Sequence, residues 1–129
     1  MSNLSNGVKK ANKATRKALI HEMKDTRYHK AIIGNNGRET ILFVIPHKNA
    51  RVGHLSVVTC GLNDKFSRKY GEMLVLEEYL LNCKYIPIPL DVFETPHVGY
   101  QDLGYFLEGV YAKFWGITVA TNIRDLMND

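Results

Sequence analysis

A chain of 129 residues and 14.7 kDa, 45% hydrophobic with a mean hydropathy of −0.21, has the size and composition of one globular domain. No apolar run nears the roughly 20 residues of a membrane span, and MSNLSNGVKK lacks the apolar stretch of a secretory signal, so the expectation is a cytoplasmic protein without a membrane partner. The net charge of +4 conceals a split, because residues 1–69 carry 14 Lys and Arg against 4 acids, whereas residues 70–129 carry 3 against 9.

Residues 8–24 read as a helix, rich in Ala and free of internal Gly and Pro, with Ser5 or Asn6 as its cap. At 100° per residue Lys10, Lys13, Lys17, His21 and Lys24 share an arc, opposite a weakly apolar face of Val8, Ala11, Thr15, Ala18 and Leu19. Such a helix is expected to dock lightly and to display a basic stripe. Residues 1–7 read as an arm. Two β-branched runs follow, His29–Ile33 and Glu39–Ile45, separated by Gly34, Asn35, Asn36 and Gly37, which supply the backbone angles of a hairpin. After the polar loop Pro46–Arg51, residues Gly53–Cys60 read as a third strand, and short connections imply an antiparallel meander.

Residues Asp64–Asn82 show the clearest helical periodicity, with Phe66, Tyr70, Met73, Leu74, Leu80 and Leu81 as the apolar face. Lys84–Tyr100 contains the prolines at 87, 89 and 96 and reads as an extended wrapping loop. Helical spacing resumes from Tyr100 to Phe114, Ile117–Thr121 reads as a strand, and Asn122–Met127 as a short last helix. The predicted fold is therefore α+β. Its order is α-β-β-β-α with a three-stranded antiparallel sheet, followed by a C-terminal α(β)α cap. One domain covers 1–129, made of a basic unit at 8–82 and an acidic, aromatic-rich cap at 83–129.

The charge split projects a positive field from the N-terminal half, which favours phosphate polymers and other anions. The pattern is sharpest in CGLNDKFSRKYG, Cys60–Gly71, where Asn63 or Asp64 caps a helix whose opening turns hold Lys65, Arg68 and Lys69. A helix N-terminus already presents about half a positive charge, so three cations there are locally unfavourable unless an anion joins them. The competing explanation is an Arg68–Glu72 i,i+4 pair with two solvated lysines. Lys48 and Arg51 in the second interstrand loop, with Lys10, Lys13 and Lys17 on the first helix, extend the candidate patch.

Over residues 8–82 this order, with a glycine before a basic second helix, resembles the double-stranded-RNA-binding domain. The resemblance implies that Lys65, Arg68 and Lys69 straddle duplex phosphates, with Ser67 and Gly71 where that family prefers small residues. The hairpin loop GNNGRE departs from the family in lacking its usual proline and histidine, and the first helix lacks its acidic minor-groove contact. Separately, Asp64, Phe66, Arg68 and Gly71 within Cys60–Gly71 look like small uncharacterised bacteriophage proteins. That likeness implies a phage origin and, by extension, a role against host defence in the host cytoplasm.

Catalytic motifs are absent from the sequence: there is no phosphate loop, no G-x-S-x-G and no H-E-x-x-H. Cys60 and Cys83 have neither disulfide-framework nor zinc-ligand spacing, so no metal or cofactor is expected. His54 and Cys60 share strand parity but lie about 20 Å apart on a regular strand. His97, near Asp91, Glu94 and Asp102, reads as a surface histidine. Seven of the 13 aromatic residues fall between Phe93 and Trp115, away from the lysines, which argues against a single-strand stacking platform and suggests core or a homodimer surface anchored by Tyr111 and Trp115. The expectation is a non-enzymatic nucleic-acid-binding protein, selective for duplex shape. A sponge or sensor for a small nucleotide and an adaptor for an acidic host protein are the alternatives.

Overall fold

The computed structural model describes residues 6–26, 28–59, 65–93 and 119–122, with side chains described at 15–26, 28–59 and 65–93. The described chain is an α+β fold of α1 (Asn6–Asp25), β1 (Lys30–Asn35), β2 (Glu39–Ile45), β3 (Val52–Thr59), α2 (Arg68–Leu80), β4 (Ile86–Pro89) and β5 (Val119–Asn122). The sheet has the order β4-β3-β2-β1-β5, with every neighbouring pair antiparallel. No helix among the described residues is long and apolar enough to cross a membrane.

The predicted meander forms the centre of this sheet, and β2 has the expected bounds. Gly34 and Asn35 belong to β1, so the hairpin turn is tighter than predicted. Asn35 Oδ1 accepts the Gly37 N–H at 3.0 Å, while Asn36 Oδ1 accepts those of Arg38 and Glu39 at 3.0 and 2.8 Å. Within this turn Gly37, at φ +88°, takes the left-handed backbone that a glycine supplies without steric cost.

The sheet carries two strands more than the three predicted. Within the segment read as a wrapping loop, β4 pairs with β3 through Ile86↔Leu55, Pro87↔His54, Ile88↔Gly53 and Pro89↔Val52. Proline has no N–H, so the ladder bonds fall to Ile86 and Ile88 while the Pro87 and Pro89 nitrogens face outward. Leu90 N–H continues the inward alternation, donating to Arg51 O at 2.9 Å. Two prolines thus remove the outward donors from an edge strand, a protection against further strand addition. At the other edge, β5 pairs with β1, so the strand predicted at 117–121 within a separate cap belongs to the sheet instead. The predicted helices at Tyr100–Phe114 and beyond Asn122 lie outside the described residues, as do residues 1–5 of the arm.

Every residue of β2 is buried, because both faces of the sheet are covered. On one face α1 and α2 lay Leu19, Ile20, Met23, Met73, Val75 and Leu76 over Ala31, Ile33, Leu42 and Val44. On the other, Ile32, Ile41, Phe43, Ile45, Leu55 and Ile88 pack with Phe93. The docking of α1 is deep, contrary to the light docking predicted. Its buried stripe is Arg16, Leu19, Ile20 and Met23, whereas Ala18 is exposed. The small residues of the predicted face have little area to bury, so the larger side chains of Leu19, Ile20 and Met23 set the packing phase.

Gly53 sits where β3 passes beneath the Phe43 ring. A Cβ there would lie 2.5 Å from Phe43 Cζ and 3.2 Å from Leu90 Cδ2. Phe43 is itself held edge-on against Phe93, with ring centroids 6.0 Å apart. Gly53→Ala is therefore expected to destabilise the fold by about 1–3 kcal/mol through overpacking. A urea midpoint equal to that of the unsubstituted chain would show that the ring yields freely.

Candidate functional site

α2 begins later than predicted. Ser67, not Asn63 or Asp64, is the N-cap, and its side chain accepts the Tyr70 N–H at 3.3 Å. Lys65 consequently precedes the helix instead of opening it, and residues 60–64, including Cys60, lie outside the described residues. The first turn holds Arg68 and Lys69, with Lys65 and Lys69 exposed and Arg68 half-buried.

The centre of this region is Glu72. Its Oε1 accepts from Arg16 Nε at 3.1 Å and Nη2 at 2.7 Å, and its Oε2 accepts from Arg68 Nη1 at 3.0 Å. Arg16 and Glu72 are buried, 3% and 4% exposed. The Arg68–Glu72 pair, weighed against an anion site, is thus present in the fold, and Arg16 joins it from α1. Gly71, next in the chain, allows α2 to approach β2 closely. A Cβ on it would collide with the Thr40 side chain, so α2 crosses β2 at that point.

These contacts fix the relative direction of the helices. Arg16 meets the start of α2, Asp25 leads to Lys30 opposite Ile45, and Tyr79 near the end of α2 meets His54 opposite Val44. Both helices therefore run from the β1–β2 hairpin end of the sheet toward its other end, and both positive dipole ends share one end of the molecule. From Asn6 to Thr15, α1 extends about 15 Å beyond Arg16 on that side, at 1.5 Å per residue.

Among the predicted site residues, Lys17, exposed beside Arg16, is brought to the region of Lys65, Arg68 and Lys69. Lys10 and Lys13 lie on the extending part of α1, where only the backbone is described. Lys48 and Arg51 are exposed in the β2–β3 loop at the opposite end, about 17 Å away along β2 from Thr40 to Ile45, and do not join the group. Arg38, absent from the predicted set, is exposed in the hairpin at the same end as Lys65 and Lys69, with its Nε 3.6 Å from Glu39 Oε2. A basic residue inside the predicted turn was the available signal for it.

A second cluster joins β3, the end of α2 and the approach to β4. His54 Nδ1 lies 2.8 Å from the Tyr79 hydroxyl, and its ring stacks on Tyr85 with centroids 4.0 Å apart. Ser56 Oγ donates to Lys84 O at 2.7 Å, and Cys83, an exposed thiol, takes a left-handed φ of +52° in the same segment. Burial, with Tyr85 and Cys83 adding to it, pushes the Tyr79 phenol up to about 12, and burial holds the His54 imidazole below its usual 6.5. The hydroxyl and Nδ1 share one hydrogen bond whose direction follows the imidazole tautomer. The three rings contact one another, so the cluster ties the approach to β4 to the end of α2 and to β3. Cys60, the predicted partner in strand parity, and His97 with Glu94 and Asp102 fall outside the described residues, whereas Asp91 is exposed.

These shifts fix the sign of two pH effects. With a folded pKa below 6.5, the His54 contribution is complete above that pH and is lost as pH falls through the folded value. With a folded pKa of about 12, the Tyr79 contribution is complete below pH 10 and is lost as pH rises toward 12. Tyr79→Phe is expected to flatten the alkaline fall in urea midpoint. Identical alkaline profiles for the two chains would refute this role.

No family model, no curated protein and no solved structure matches this chain.

Proposed function

We propose that this chain is a non-enzymatic nucleic-acid-binding protein that engages duplex backbone with the end of the molecule where α1 and α2 begin. The observation that supports this reading is the meeting of Arg16 and Arg68 on Glu72. It joins the middle of the basic first helix to the basic start of the second, so that Lys17 neighbours Lys65, Arg68 and Lys69 and the positive end of the α2 dipole. Contacts of this type bring affinity and salt dependence without base specificity, hence selection by shape. The alternative of a single small phosphate at the α2 start would have to share that start with Ser67, whose side chain takes the Tyr70 N–H.

A filter-binding titration against duplex RNA, duplex DNA and mononucleotides at two salt concentrations tests the proposal. Duplex binding that weakens by orders of magnitude with salt is the expected result. Salt-tolerant uptake of one mononucleotide per chain, or retention of an acidic protein alone, would overturn it.

A further inference from the structure

The chain of contacts from Arg16 through Glu72 to Arg68 leaves one guanidinium both held and accessible. The Arg16 and Glu72 side chains are 4% and 6% exposed, whereas that of Arg68 is 39% exposed. Arg68 is gripped through Nη1 by an oxygen whose carboxylate is itself fixed by two bonds from Arg16. That bond restrains the Arg68 side chain relative to α2 before any partner arrives, so less rotamer freedom remains to be lost on binding. Lys65 and Lys69 supply charge nearby without such a constraint.

Resting on the duplex-binding reading above, we propose that Glu72 is a positioning residue that aims Arg68 at a backbone phosphate, with Arg16 holding the carboxylate in place. A purely electrostatic role for this region makes the opposite prediction. Converting Glu72 to glutamine raises the net charge by one, so the overall field would draw a polyanion more tightly. Loss of aim weakens binding despite the added charge. Arg68→Lys provides the complementary change, since it keeps the charge and loses the planar fork that can serve a carboxylate and a phosphate together.

The test is titration of the full chain with a duplex RNA of about 20 base pairs, at one salt concentration and below the melting temperature of each variant, with near-ultraviolet circular dichroism to confirm folding. Glu72→Gln and Arg68→Lys are each expected to weaken binding about tenfold, and the double variant is expected to lose little more than either, because the two act through one contact. Glu72→Gln binding as tightly as the unsubstituted chain, or more tightly, overturns the positioning role while leaving duplex binding intact. If Glu72→Gln does not fold, Arg68→Lys decides alone, and unchanged affinity in that variant overturns the proposal. An unsubstituted chain that binds no duplex overturns the function proposed above and this role with it.

Discussion

Replacing Glu72 with alanine is expected to cost about 3–5 kcal/mol of folding stability, the largest effect of any single substitution considered for this chain. The carboxylate is buried and serves two guanidiniums, one of them on the fully buried Arg16. Removing it takes away an acceptor that both use, and losing a charge-assisted bond from a buried cation is far more costly than losing one at the surface. Arg68→Ala, on a side chain 39% exposed, is expected to cost about 1 kcal/mol or less, because solvent screens that half of the arrangement. Replacing Arg16 and Glu72 together by Met and Leu is expected to recover much of the loss, since apolar packing of similar volume often equals a buried pair. Urea unfolding of the three variants measures all of this. A Glu72→Ala cost below that of Arg68→Ala would show that the buried network contributes little.

Gly71→Ala is the second large effect, expected at about 2–3 kcal/mol from overpacking. The new methyl would overlap the Thr40 side chain, which lies buried on β2 beneath the first turns of α2. Helix propensity alone favours alanine over glycine by about 1 kcal/mol, so a destabilising result separates the tertiary contact from the local preference. Thr40 Oγ1 has no hydrogen-bond partner among the described residues, so Thr40→Ala removes the obstruction without breaking a bond. The double variant Gly71→Ala with Thr40→Ala is expected to regain most of the stability, and a double-mutant cycle reads that coupling directly. Additive losses in the cycle would place the strain elsewhere.

The strands were legible where side-chain chemistry is local. The β-branched run at 39–45 and the Asn-Gly turn at 36–37 specify a hairpin through backbone preferences that need no distant partner. The end of α1 was legible for the same reason, but its packing face was not. Arg16 reads as one more basic residue on a lysine-rich helix until Glu72, 56 residues away, is seen to accept from it. The start of α2 was misplaced because several capping residues precede it, and only the hydroxyl that reaches Tyr70 N–H identifies Ser67 as the cap. The candidate site was legible in part. Lys65, Arg68, Lys69 and Lys17 fall in one region, whereas Lys48 and Arg51 lie at the far end of β2 and Arg38 joins from the hairpin.

The segment at 86–89 shows most sharply where local information ends. Two prolines in four residues argue for irregular chain, and as a central strand IPIP would be unworkable. At a sheet edge the same prolines are acceptable, because their nitrogens face away from β3, the one strand paired with them among the described residues. Whether a strand lies at an edge is a property of the whole sheet, and no window of residues contains it. By itself the sequence determined the α+β class, the central meander and the concentration of positive charge in the first half, since each follows from periodicity or composition. Tertiary structure alone decided which cations meet, which carboxylate they share and which strand closes the sheet, because those outcomes depend on contacts between residues far apart in the chain.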